Sequence, residues 1–166
     1  MPRRAENIPT PLGPLLAEFA EDGSLLRLEF AEAPQATNSA PKEPASPLAR
    51  QLREYFSGRR RDFDLPLASA GTPFQQKVWA ELRRIPFGET LSYAELARRL
   101  GDPGAVRAVA RANALNPIAI LIPCHRVIGS DGSLTGYAAG LERKARLLVL
   151  EGHQRFAMPA QLAFFS

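Results

Sequence analysis

Cysteine is nearly absent from this sequence: its 166 residues include one, Cys124, together with two histidines and one tryptophan. A lone cysteine cannot close an internal disulfide or supply a multi-cysteine zinc site, so the chain is compatible with a reducing compartment. Long apolar runs are missing as well. Nothing approaches the roughly 20 residues of a membrane span, and the start Met1-Pro2-Arg3-Arg4 is not followed by an apolar signal core, so a soluble cytoplasmic protein is expected. Strong charge of either sign is also lacking, the net charge being +4. That charge is unevenly placed. Residues 1–71 carry nine basic and ten acidic side chains, whereas residues 72–152 carry eleven and seven. The basic excess sits with the cysteine and suits a polyanionic partner such as nucleic acid, although a solvated basic face is the commoner source of so small an excess.

What is present is enough apolar side chain, 45% of residues, for one ordinary domain or for a small one with a compact neighbour. Pro9, Pro11, Gly13 and Pro14 exclude a helix near the start, and residues 8–30 read as short extended segments with a hairpin turn at Asp22-Gly23. Residues 31–47 shift to Pro, Ala and Ser with nothing to bury, the signature of an exposed loop. Leu48, Leu52, Tyr55 and Phe56 then recur at helical spacing, and Phe63, Leu65 and Leu67 alternate as a strand would.

Thr72-Pro73-Phe74-Gln75 joins an N-cap, a first-turn proline and a capping-box glutamine, which predicts a helix over 73–85 with Phe74, Val78, Leu82 and Ile85 inward and Trp79 in the core. Ser92-Tyr93-Ala94-Glu95 repeats the capping pattern for a second helix ended by Gly101, and Asp102-Pro103 starts a third that stops before Asn116-Pro117. Two short helices across a glycine turn form a helix-turn-helix unit, readable either as a DNA-docking device or as an ordinary helical hairpin. Its second helix carries Arg107 and Arg111 on one face, with Gly104, Ala105, Ala108, Ala112 and Ala114 as small side chains. Small residues allow close approach to a sugar-phosphate backbone with little base readout. The expected fold is α+β: a small N-terminal α/β region with a short antiparallel sheet over residues 1–71, including the loop, then a helical domain over 72–166.

Within that second region, Ile118–Ile122 is an apolar run leading into Pro123-Cys124-His125-Arg126. A cysteine beside a histidine is readable as a nucleophile with a nearby base, or as an inert buried thiol, since free cysteine is among the most buried residue types. Neighbouring side chains in an extended segment point to opposite faces, so a link from Cys124 to His125 needs a turn or a bridging water. Glu151 falls at the end of a last helix over about 141–150, where the helix dipole disfavours a carboxylate, so either solvent or another group must hold it.

In order, Tyr93, Arg107, Asn116-Pro117, Ile122-Pro123-Cys124-His125-Arg126-Val127, Gly136-Tyr137 and Glu151-Gly152 resemble the O6-alkylguanine-DNA alkyltransferases, the methylated-DNA–protein-cysteine methyltransferases. The likeness runs unbroken over about residues 72–152, with looser agreement before it. It implies direct reversal of damage in duplex DNA by an enzyme: the helix-turn-helix binds the minor groove, the lesion is flipped out, and Cys124 takes the alkyl group from O6-alkylguanine, or from O4-alkylthymine, once per molecule. The resemblance further implies that His125, oriented by Glu151, activates Cys124 through a water, and that Asn116 fixes the cysteine turn. Tyr93 would turn the phosphate and donate to the purine, and Arg107 would fill the place of the flipped base. Ala105, Ala108, Arg111 and Arg126 would join Tyr93 and Arg107 at the DNA. Tyr137, Ala138, Val127 and Ala119 would line the substrate pocket, with the Cys124 and Val127 carbonyls at the guanine edge.

Ala119 stands where some relatives carry proline, which implies tolerance of larger alkyl groups. No metal, organic cofactor or obligate protein partner is expected, and clustering of copies along DNA is left open. The zinc domain of adaptive-response members, which needs four cysteines, is not expected in a sequence with one. The rival reading is a non-catalytic helix-turn-helix damage-recognition protein; such alkyltransferase-like proteins commonly carry tryptophan in place of the cysteine.

Overall fold

A computed structural model describes residues 4–31 and 46–157. The chain forms two compact units, residues 1–71 with Pro117–Leu121, and residues 72–116 with 122–166. The expected loop at 31–47 falls mostly outside the described residues.

The first unit is built on a three-stranded antiparallel sheet, β1 (Arg4–Ile8), β2 (Leu15–Phe19) and β3 (Leu25–Phe30), in the order β1-β2-β3. Leu15, Ala17 and Phe19 alternate inward on β2, as the period of two requires. The Asp22-Gly23 turn forms, with Asp22 Oδ1 accepting from Ser24 N at 2.9 Å, and a register shift at Glu18/Phe19 accommodates it. Helix α1 (Pro47–Phe56) is capped by Ser46, whose hydroxyl accepts from Ala49 N, and it buries Leu48, Leu52 and Tyr55.

The strand expected at Phe63–Leu67 does not form; Leu67 makes one isolated bridge to Leu25. Two causes are visible. The Gln51 side chain takes both backbone groups of Asp64, at 2.9 and 3.3 Å, and Pro66 has no N–H to offer a ladder. Residues 117–121, expected with the helical region, instead group with this unit. Leu28 N donates to Pro117 O, and Ala119 N donates to Leu28 O. Within that segment Leu121 N donates to Ala119 O around Ile120, which is buried and has φ +70°. A β-branched residue in that region is strained, and the surrounding core must hold it there.

The second unit opens with α2 (Pro73–Leu82), where the full Thr72/Gln75 capping box is present. The helix ends three residues earlier than expected, and Phe74 is 38% exposed, so the buried stripe is Val78, Trp79 and Leu82. Trp79 Nε1 donates to Ala112 O at 2.9 Å, which satisfies the one polar atom of a buried indole. Helix α3 (Tyr93–Arg99) is capped by the Ser92 hydroxyl. The reciprocal half of its expected box is missing, because the Glu95 carboxylate pairs with Arg98 and Arg99.

At the end of α3, Gly101 has φ +83°, Gly101 N donates to Arg98 O and Asp102 N to Ala97 O. This is a Schellman stop, and it turns the chain toward α4 (Val106–Ala114). Residues 102–105 form a turn closed by Ala105 N on Asp102 O, so α4 starts later than Asp102-Pro103 suggested. A two-residue parallel pairing, β4 (Leu91–Ser92) with β5 (Val127–Ile128), joins the start of α3 to the residue that follows Arg126. Helix α5 (Leu141–Leu150) packs Ala145 and Leu148 with Ile128 and Phe156. No described helix is long and apolar enough to cross a membrane.

Candidate active site

Cys124 stands at the head of a 3-10 turn, Cys124–Arg126. Pro123, at φ −80° and ψ 64°, makes an inverse γ-turn in which Cys124 N donates to Ile122 O at 2.7 Å. Asn116 Nδ2 donates to the same carbonyl at 2.7 Å. Of the two means expected to link Cys124 with His125, a turn or a bridging water, a turn is present, and Asn116 ties it from the end of α4. The β4–β5 pairing brings Tyr93 to the same neighbourhood, close enough that the Cys124 charge acts on the phenol.

His125 is fully buried, with Nε2 placed 2.8 Å from Glu151 Oε2. Its Nδ1 is buried without a hydrogen-bond partner. Glu151 owes its position to the end of α5: Gly152 at φ +108° lets Gly152 N bond Val149 O and His153 N bond Leu148 O, a second Schellman stop that leaves Glu151 as the C-cap residue. His125, the expected partner, is thus one of the groups that hold this carboxylate, and a second was not foreseen in the sequence. Arg126, expected at the DNA, is 6% exposed. Its Nε donates to Glu151 Oε1 at 2.7 Å, its Nη2 to Oε2 at 3.0 Å, and its Nη1 to Ile85 O at 2.7 Å. A planar guanidinium matches a carboxylate with two parallel bonds, which is why arginine is the residue for such a buried pair.

This arrangement decides the protonation states. Burial alone would raise the Glu151 carboxyl, but His125 and Arg126 hold it well below the usual carboxylate range. Because Arg126 is always charged, the carboxylate is neutralised without a second cation. Burial accordingly pushes the His125 imidazole below its ordinary value, against the pull of Glu151. A neutral His125 then donates Nε2–H to Glu151 and keeps Nδ1 as an acceptor, which is the form of a base. Burial pushes the Cys124 thiol up, while a hydrogen bond from Asn116 and the charge of Lys144 act in the opposite direction.

Lys144 is the functional residue the sequence reading missed. It lies one turn into α5, 0% exposed, with Nζ donating to Thr135 O at 2.7 Å and to Gly136 O at 3.3 Å. Burial brings it from 10.5 down to about 8, with the Cys124 charge acting the other way. A fully buried ammonium bonded to loop carbonyls clamps residues 135–136. The only signal in the sequence was a lysine on the apolar side of a helix, and long basic side chains usually escape to solvent.

Tyr93 is half-buried, its hydroxyl donating to Thr135 O at 2.9 Å. Tyr137 lies in the same loop, its hydroxyl buried without a partner, and burial followed by the Cys124 charge raises it well above its ordinary value. Ala138 is exposed beside it, and Val127 is fully buried. The Val127 N–H already donates to Cys124 O, so one lone pair of that expected guanine contact is in use. Ala119 sits in the first unit, its N–H on Leu28 O. Arg107, Ala108 and Arg111 are exposed on α4 and Ala105 is half-buried before it, whereas Ala112 is buried against Trp79. Among the described residues, no three His, Cys, Asp or Glu side chains could hold a metal ion.

Residues 73–153 match the family described as 6-O-methylguanine DNA methyltransferase, DNA binding domain, and residues 4–69 match its ribonuclease-like domain. The chain is 48% identical over 163 residues to a methylated-DNA–protein-cysteine methyltransferase of Mycobacterium tuberculosis, covering 95% of this chain and 96% of that protein. A constitutive one from Bacillus subtilis is 47% identical over 151 residues, covering 86% and 91%. Among solved structures, the M. tuberculosis O6-methylguanine methyltransferase superposes with a TM-score of 0.80 at 44% identity, over 99% of this chain and 100% of that one. A second, M. tuberculosis OGT in complex with DNA, gives 0.80 at 45% identity over 96% and 98%.

Proposed function

The chain belongs to the methylated-DNA–protein-cysteine methyltransferase family, and from that premise we propose that it repairs duplex DNA by moving the alkyl group of O6-alkylguanine, or O4-alkylthymine, irreversibly to Cys124. The observation that carries this reading is the set Cys124, His125, Glu151 and Arg126. It combines a cysteine in a fixed turn with a histidine whose Nε2 is held by a carboxylate and whose Nδ1 is free.

His125 Nδ1 takes the thiol proton, through a water because the two side chains are sequence neighbours. The thiolate attacks the alkyl carbon; the C–S bond forms as the C–O6 bond breaks, and the electron pair leaves with the guanine. Arg126 keeps Glu151 ionised throughout, so the carboxylate stabilises the imidazolium as it forms. Tyr93 donates a hydrogen bond to the departing purine and Lys144 favours the thiolate by its charge. Tyr137, Ala138 and Val127 line the base site.

Binding falls to α4. Its outer face offers Arg107 and Arg111 beside Ala105 and Ala108, with no acidic residue in its first turn, which suits close, weakly sequence-selective contact with the minor groove. Extrusion of the base is required because stacking hides O6, and Arg107 fills the gap it leaves. A thioether has no hydrolysable acyl bond, and the sequence has no second thiol, so each molecule acts once. The thiol must stay reduced to act, which suits a cytoplasmic location.

The test is a titration of limiting protein against excess duplex carrying O6-methylguanine. Repair that stops at one lesion per molecule, and a Cys124→Ala variant that binds the duplex but repairs nothing, are the expected results. Continued turnover, or repair by Cys124→Ala, would refute the assignment and favour a hydrolase or a different nucleophile.

A further inference from the structure

Among the described residues, Ile120 is the one residue other than glycine with a left-handed backbone, at φ +70°. It is also β-branched and 2% exposed. A branched side chain in that region is costly, and strain of this kind persists where the surroundings hold it and gathers at functional sites. The turn does not need the strain for its hydrogen bond. Leu121 N donates to Ala119 O around Ile120 at 2.8 Å, a γ-turn, and the common inverse γ-turn closes the same ring at negative φ without strain. What the strained form changes is the hand, and so the side toward which the chain leaves residue 121.

That direction leads to the nucleophile. Ile120 precedes Cys124 by four residues, and the lead between them is bonded at each step. Ala119 N is held by Leu28 O at 2.8 Å. The Ile120 turn joins residues 119 and 121, and the Pro123 turn joins residues 122 and 124, with Cys124 N on Ile122 O at 2.7 Å. Asn116 Nδ2 takes the second lone pair of that carbonyl at 2.7 Å, and the proline ring fixes φ at residue 123. A change of hand at Ile120 therefore has little to absorb it before Cys124. We propose that Ile120 is a positioning residue for alkyl transfer: its buried side chain locks the strained hand of the 119–121 turn, and that hand sets where Cys124 stands toward the flipped base. This rests on the alkyl-transfer reading above. Glycine would enter the same turn at no steric cost, but it would leave the turn as readily. A packed isoleucine holds one hand.

Ile120→Gly and Ile120→Ala separate hand from packing, because both empty nearly the same space and only alanine keeps a Cβ that opposes positive φ. Single-turnover methyl transfer is measured at saturating duplex carrying O6-methylguanine, with duplex affinity and urea unfolding alongside. Ile120→Ala slows transfer about tenfold more than Ile120→Gly, roughly the factor by which a Cβ disfavours left-handed backbone, and duplex affinity stays within about twofold in both. Ile120→Gly unfolds at the higher urea concentration, against the usual order of the two residues. Ile120→Val, which retains the branch and most of the burial, transfers at close to the wild-type rate.

Equal slowing by the two truncations, or greater slowing by glycine, assigns Ile120 to packing alone and overturns the proposal. An unchanged rate in Ile120→Ala overturns it too, as does a higher urea midpoint for glycine without faster transfer. Independently of any variant folding, the amide and α hydrogens of Ile120 approach most closely at positive φ, and a weak nuclear Overhauser effect between them in the wild type contradicts the strained turn. A wild type that transfers no methyl group defeats the alkyl-transfer reading itself. An active wild type whose two truncations transfer alike defeats only this inference.

Discussion

Replacing Arg126 by methionine removes three buried hydrogen bonds at 2.7, 3.0 and 2.7 Å and the charge that neutralises Glu151. Breaking a buried ion pair from one side costs about 3–5 kcal/mol, and the upper half of that range applies because Ile85 O loses its guanidinium donor as well. For a chain of this length the melting temperature should fall by about 10 °C or more. The chemical effect follows from sign. The Arg126 charge pushes the His125 imidazole down, so its removal lets His125 rise and take a proton beside Glu151. An imidazolium has no acceptor at Nδ1, so transfer slows at neutral pH and recovers as pH rises through the new, higher value.

The assays are urea unfolding, single-turnover methyl transfer against pH, and duplex affinity against salt. The salt slope should not change, since a buried guanidinium releases no counterion from phosphate. A stability loss below about 1 kcal/mol, with a salt slope smaller by about one, would return Arg126 to the DNA and refute the reasoning.

Three further outcomes are expected. Lys144, brought down to about 8 in the fold from 10.5, binds fewer protons folded than unfolded between those values. Wild-type stability should therefore rise relative to Lys144→Met from pH 8 to pH 10, and a relative fall in urea midpoint would contradict its burial. Gly152→Ala forces a side chain to φ +108° at the stop that positions Glu151. It should cost about 1–2 kcal/mol by denaturant unfolding and slow transfer as well. Arg107→Ala should keep most nonspecific duplex affinity yet slow repair of duplex lesions, and unchanged repair would remove Arg107 from the gap left by the base.

Those positions also mark what the sequence disclosed and what it withheld. Local chemistry was legible: the Thr72/Gln75 box, the Ser92 cap, the Gly101 stop and the Asp22-Gly23 turn are short-range devices whose partners lie within a few residues. A turn at the cysteine was legible as one of two options, the other being a bridging water, because Cys124 and His125 are neighbours, although the Pro123 γ-turn itself was not. What escaped depends on partners far along the chain. Arg126 looked like one more cation in a basic region until Glu151 and Ile85 closed around it. Lys144 drew no reading at all, because nothing local says that the Thr135 carbonyl will meet it. The Phe63–Leu67 alternation misled for the same reason, since Gln51 competes for the Asp64 backbone from 13 residues away. Periodicity reports a face, and the identity of the group across from that face is a tertiary fact.

The central claim is that Cys124 is an alkyl acceptor consumed by its own reaction. Intact-protein mass spectrometry after incubation with a duplex carrying one O6-methylguanine, followed by peptide mapping, tests it directly. The account predicts a gain of one methylene per molecule, located on Cys124 and not exceeded with excess substrate. An unchanged mass with the duplex bound, or a methyl group on any other residue, would contradict it.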